Sequence, residues 1–532
     1  MRLSQSIILL ALGFVPLSMV QGETLIQDVV DSMLDAKMQQ VNITAAPMAD
    51  DYNILRRTTL DLIGRIPTSA EVDRYVTSED SNKREQMVDQ LLQSPAYQKH
   101  LAYDLNLLLA PAGNNELQNF LEQAVTQRRG WDQMFRAMLL GDYEDELERQ
   151  AMKFVKLRVK DLDNLTNATS SLFFGVNISC AKCHDHPLVI EWTQAHFYGM
   201  KSFFNRSFEN GDFVGERDYG ALQYQTTDGK QLDAQMMFLS GKVIEEPQWT
   251  SPDAEKQKAD KKQLEQLAKD KQPVPVPQYS RRAQLLDIAL NGDDRSYFSK
   301  SIVNRIWYRT FGYGLVMPLD QMHPSNPASH PKLLDFLAQD MSDHGYDLTR
   351  LIRGLVLTQA YARSSRYDGE NRPPQLWFAV ANVKPLTPQQ YAAALLFGAR
   401  NPSQFASEDV LKTQAEIESV HAQARTLAVK FDVPSDEFQV SVDEALLFSN
   451  DSALEKDLLA NRADRLIGEL MILSTDAEVV ATASKSIMNR PVTKQEQRVM
   501  MKYLKHRQDR REAAVIQLVW ALLTSSEVRF NY

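Results

Sequence analysis

Cysteine is almost missing from this chain: 532 residues hold only Cys180 and Cys183. At most one intrachain disulfide is possible, so the fold must rest on its apolar cores. After the first two dozen residues no stretch approaches 18 consecutive apolar residues, which leaves no integral membrane segment in a mature chain. A surplus of positive charge is missing too. Lys and Arg total 59 against 69 Asp and Glu, a net charge of −10, and such a chain is poorly suited to nucleic acid or to an anionic membrane surface. There is no internal repeat, no Gly-rich phosphate loop, no Gly-x-Ser-x-Gly and no His-Glu-x-x-His.

What is present begins with an export signal. Met1-Arg2 is a short positive start, Ile7 to Leu17 an apolar run, and Val20-Gln21-Gly22 a small-residue cleavage site. Residues 1–22 are therefore expected to be a cleaved secretory signal peptide, sending the protein to the periplasm or otherwise outside the cytoplasm. No cysteine lies near the cleavage point, which argues against a lipoprotein.

The remainder is expected to be mainly α: two helical domains joined by a small β-containing segment and a charged, Pro-rich linker. About 510 residues with a 43% hydrophobic composition can build large cores. Residues 23–209 read as the first helical domain. Leu55, Leu60, Leu62 and Ile63 give a helix face that stops at Gly64, and Thr68 to Glu71 is a capping box opening the next helix. Arg56, Arg57 and Asp61 could form a buried ion cluster, but solvated helix faces are the leading expectation. Residues 210–250, rich in Gly, Asp, Gln and Thr, suggest short antiparallel strands. Residues 251–280 combine a charged, solvated helix with Pro273-Val274-Pro275-Val276-Pro277, an extended linker. Residues 281–532 read as the second helical domain, with Asp347 as a helix cap, Thr493 to Glu496 as a capping box, and 400–450 as its least regular part.

Both cysteines stand in Cys180-Ala181-Lys182-Cys183-His184, followed by Asp185-His186-Pro187. On a helical turn, positions i, i+3 and i+4 share a face. Two thiols so placed can form thioethers to one haem, and the following imidazole can ligate its iron. Other chemistry fits the same residues: a short disulfide, a dithiol redox pair, or a zinc or iron site using the thiolates with His184 and His186. Trp192, Phe197, Tyr198, Phe203 and Phe204 suit a haem pocket, but ordinary core packing is the commoner reason for such a cluster. His186, two residues past His184, is expected to line the pocket with Asp185 rather than to bind metal. Candidates for a distal iron ligand are His196, Met200 and, in the second domain, His330. His330 is expected to face His184 across the domain interface at a separation on the order of 4–6 Å.

These residues carry a family resemblance. Leu55-Arg56-Arg57-Thr58-Thr59-Leu60-Asp61-Leu62-Ile63-Gly64-Arg65-Ile66-Pro67-Thr68 and the cysteine motif with Trp192-Thr193-Gln194 resemble the planctomycete-type cytochrome-like domain, PSCyt. Ile302 to Trp307, Phe311 to Val316, Asn326 to Asp335, Phe431 to Pro434 and Ala521 to Glu527 resemble its usual partner, the PSD domain. Both are domains of unknown function. The resemblance implies an exported, cytochrome-related protein, often encoded beside exported sulfatase-like proteins in polysaccharide-degrading bacteria. Some relatives carry a separate cytochrome c domain at the amino end; none is expected in this chain, which makes Cys180, Cys183 and His184 its candidate haem c site. The leading expectation is an electron-transfer protein whose partner is a sulfatase-like or redox protein. The alternatives are a zinc- or iron-binding enzyme and a non-catalytic interaction scaffold.

Overall fold

A computed structural model describes residues 25–434, apart from 112, 188 and 408, and residues 456–532. The expected signal peptide, 1–22, lies outside the described residues. The fold is mainly helical, with short two-stranded antiparallel sheets. No helix among the described residues is long and apolar enough to cross a membrane.

Local chemistry sets the helix ends. The helix Asp51–Ile63 opens on the Asp50 side chain, which accepts from Asn53 N, and stops at Gly64 with φ 70°. That conformation is cheap only for glycine. Thr68 and Glu71 form the capping box of Ser69–Thr77, Thr493 and Glu496 that of Lys494–Lys505, and the Asp347 side chain caps Leu348–Val356. The segment after the first helical region forms two hairpins, Ser207–Asn210 with Phe213–Glu216 and Gln223–Gln225 with Gln231–Asp233. The charged helix Ala254–Lys269 buries no residue, so it is solvated as its alternating charges require. One stretch differs from expectation. Within 400–450, Val410–Ala428 is a regular helix of 19 residues, seated through Val420, Ala424, Leu427 and Ala428.

Among the described residues two large apolar cores dominate, beside two small clusters. The larger runs from Ile26 to Leu239 and continues, past the Pro-rich segment, through Leu285 to Phe378. At its centre Phe135 lies 4.3 Å from Phe173 and 5.1 Å from Phe298, measured between ring centroids. The second core takes residues 386–528 together with Leu60 and Ile66 from the first helical region. The two helical regions therefore share buried surface. The Pro-rich segment is stitched down at its end: Asp218 accepts from the amides of Gln278 and Tyr279, and Glu216 from Ser280 and Arg281.

The helix Asp51–Ile63 stands between the cores, and its charges correct the expectation of solvated faces. Arg56, Arg57 and Asp61 are 2%, 4% and 7% exposed. Arg56 donates to Asn489 Oδ1 at 2.8 Å and to the Glu527 carbonyl. Arg57 donates to the carbonyls of Tyr361, Arg363 and Tyr532. Asp61 accepts from Tyr361, Lys384 and Asn531. Each partner lies hundreds of positions away, so short-range pattern could not place these side chains inside.

Candidate functional site

The motif is placed by the helix before it. Leu162–Phe174 packs against Arg295–Phe311, where Arg305 donates to the carbonyls of Ser171 and Leu172 and so closes the C-terminal end of the helix. Gly175, at φ 68°, turns the chain, and a Cβ there would lie 2.6 Å from Met322 Sδ. Val176 then pairs antiparallel with Gln321. Asn177 N donates to the Asp320 carbonyl at 2.7 Å, Met322 N to the Gly175 carbonyl at 2.9 Å, and Asn177 Nδ2 to Asp320 Oδ2 at 3.0 Å. This junction fixes the start of the motif against the second helical region.

Ser179–Lys182 forms a single 3-10 turn, closed by Cys183 N donating to the Cys180 carbonyl at 3.4 Å. In that geometry positions i and i+3 eclipse, which puts Cys180 and Cys183 on one side. Both are exposed free thiols. His184 is exposed as well, its Nδ1 2.7 Å from the Asp185 carbonyl. Side-chain bonds hold the turn from below. Asp163 pairs with Lys182 at 2.7 Å and with Lys201 at 2.6 Å. Burial pulls the Asp163 carboxyl upward, but these two lysines outweigh it and hold it below the usual range. Asp185 Oδ1 accepts from Gln194 N at 3.1 Å, and Gln194 Nε2 donates to the Lys182 carbonyl at 3.3 Å.

His186 takes a different direction. Its amide donates to the Trp192 carbonyl at 2.7 Å, closing the 186–192 loop, and its ring is buried edge-on to Trp192 at 5.4 Å. On the other side of this pair stands His323, from the second region, 6.4 Å from His186 and 5.8 Å from Trp192 between centroids. Burial pushes the His186 imidazole down from its ordinary value, helped by the nearby charges of His323 and His184. Burial does the same to His323, opposed by Glu191.

His330 lies elsewhere. It precedes Pro331 at the start of Pro331–Asp343 and turns its ring onto Trp377 and Phe378, at 5.9 and 5.8 Å, with Nδ1 3.0 Å from Ser329 Oγ. None of these partners belongs to the motif. Met200 is fully buried in the core, and His196 Nδ1 is engaged by Thr193. His323 was the residue that sequence reasoning missed. Its signal was shared: His186, His323 and His330 are each followed by proline, and only the pairing of 175–177 with 320–322 selects His323.

The attachment atoms suit a c-type haem: two exposed free thiols on one turn with an exposed imidazole beside them. Trp192, Phe197, Phe203 and Phe204 are committed to the core, so they do not form an open porphyrin pocket. Among the described residues no three His, Cys, Asp or Glu side chains converge as a metal site.

Residues 29–209 match the PSCyt2 family model, described as a protein of unknown function (DUF1549). Residues 281–504 match PSD1, a protein of unknown function (DUF1553). The chain is a PSCyt2–PSD1 protein. The cysteine motif falls inside PSCyt2 and His323 inside PSD1, so the seam just described joins the two families' domains. No curated protein and no solved structure matches the chain.

Proposed function

We propose that this PSCyt2–PSD1 protein is exported through a cleaved signal peptide, carries one covalent haem on Cys180 and Cys183 with His184 as iron ligand, and transfers electrons. Its partner would be an exported redox or sulfatase-like protein of polysaccharide catabolism. One observation carries the reading. In a chain with no other cysteine, both thiols are free, exposed and eclipsed on one turn, with an exposed imidazole next to them. Each thiol can add across a vinyl group, sulfur to one carbon and hydrogen to the other, with no oxidant consumed. The haem supplies a one-electron couple when bound. Asp163, Lys182 and Gln194 hold the turn, and His186 with Trp192 forms the wall behind it.

The alternative of zinc or iron on the Cys-x-x-Cys-His-Asp-His cluster has less support. Asp185 is bonded to the Gln194 amide, and His186 is buried whereas the thiols are exposed. The deciding experiment is expression of the full chain with cytochrome c maturation, followed by a pyridine haemochrome spectrum and a haem stain on a denaturing gel. The expected result is one covalent haem per chain, lost in Cys180→Ala and Cys183→Ala. Two unmodified thiols by mass spectrometry of the parent protein would overturn it.

A further inference from the structure

We propose that His186 and His323 form a metal clamp across the PSCyt2–PSD1 seam, taking a divalent first-row transition ion such as Zn2+, Ni2+ or Cu2+. This clamp is separate from the cysteine motif and does not depend on haem attachment.

The argument starts from reach. With metal–nitrogen bonds of about 2.1 Å, two imidazoles on one ion have centroids roughly 5–6.5 Å apart. The rings of His186 and His323 are 6.4 Å apart and tilted by 57°, at the long end of that range, so sharing one ion requires the side chains to rotate until a nitrogen of each faces it. Their backbones are already held. His186 is fixed by its amide bond to the Trp192 carbonyl, and His323 follows directly on the 175–177/320–322 pairing.

The donor chemistry agrees. His323 Nδ1 is buried with no hydrogen-bond partner, and an unsatisfied ring nitrogen in such a place calls for a ligand. Glu191, exposed on the same loop, adds negative charge in the neighbourhood of His323, which favours a cation there. Nitrogen donors select zinc, nickel and copper over magnesium and calcium. Two side chains are fewer than a closed structural site uses, so the remaining positions fall to water or to an incoming ligand, and the ion should exchange. Because one histidine comes from each domain, the bound ion would tie PSCyt2 to PSD1.

The test is isothermal titration of the full chain with CuCl2 and ZnCl2, beside its Cys180→Ser/Cys183→Ser variant. One ion per chain is expected in both proteins. His186→Ala and His323→Ala should each weaken binding by about 100-fold or more. Trp192 touches both rings, so Cu2+ should quench tryptophan emission in the parent, and Trp192→Phe should lose most of that quenching while still binding. Zn2+ should raise the melting temperature of the parent but not of His323→Asn, a milder substitution that guards against misfolding in the alanine variant. Unchanged binding in His323→Ala and His323→Asn would overturn the clamp. So would binding that disappears in Cys180→Ser/Cys183→Ser, because the thiols would then be the ligands. Loss of haem in the cysteine variants bears only on the haem reading, which keeps the two proposals separable.

Discussion

Asp61 and Lys384 meet at 2.8 Å although 323 positions separate them. The same ammonium also reaches the carbonyls of Arg309 and Thr310, and the same carboxylate accepts from Tyr361 Oη and Asn531 Nδ2. Burial pushes Lys384 down from its ordinary value, opposed by Asp61. The opening motif of PSCyt2 is therefore a buried polar joint that locks the first helical region to PSD1.

Breaking that joint on one side leaves a buried charge unpaired. Asp61→Ala should cost about 3–5 kcal/mol of unfolding free energy, because Lys384 loses its carboxylate in the interior. The double variant Asp61→Asn/Lys384→Met should cost less than the sum of its single changes, since the two side chains interact directly. Urea denaturation of the parent, Asp61→Ala, Asp61→Asn, Lys384→Met and the double variant checks both statements, and strict additivity would mean the pair is not coupled.

The cysteine motif should behave in the opposite way. Cys180, Cys183 and His184 are exposed, so Cys180→Ser, Cys183→Ser and His184→Ala should each stay within about 0.5 kcal/mol of the haem-free parent. Denaturant midpoints measured on haem-free protein provide the comparison. A loss of several kcal/mol would make the turn a structural element.

Gly64 should tolerate no side chain. Its φ of 70° strains any L residue, and an added Cβ would lie 2.6 Å from His100 Nδ1. Gly64→Ala should cost more than about 1 kcal/mol. Adding His100→Ala should recover the steric part of that loss but not the backbone part. Thermal melts of Gly64→Ala, His100→Ala and the double variant separate the two contributions.

Acid should weaken the fold through buried histidines. Burial pushes His421 down to about 3, with Arg65 adding to the effect, and His330 down to about 4, with Lys37 adding. In the unfolded chain both titrate near 6.5, so the unfolded state takes up protons first. Their contribution is complete above about pH 6.5 and declines as pH falls toward 4 for His330 and toward 3 for His421. Replacing His421 by Gln should make stability less steep in pH across that window. The measurement is the difference in unfolding free energy between parent and variant at pH 7, 5.5 and 4, which should narrow as pH falls.

The chain alone determined whatever near neighbours decide. Helix faces repeat every three to four residues, Thr68, Asp347 and Thr493 cap helices with groups within three positions, and Gly64 ends a helix because it lacks a Cβ. The Cys-x-x-Cys-His spacing likewise sits within one turn and could be read directly. Tertiary structure decided the rest. Arg56, Arg57 and Asp61 look like a solvated face because charge in a short window is normally hydrated, and they are buried because distant carbonyls and Lys384 satisfy them. His323 and His330 are alike in sequence, each followed by proline. Only the backbone pairing of Val176 with Gln321 brings one of them to His186, while packing on Trp377 and Phe378 takes the other away. Contacts between residues more than a hundred positions apart depend on how the cores pack, and no local pattern encodes that.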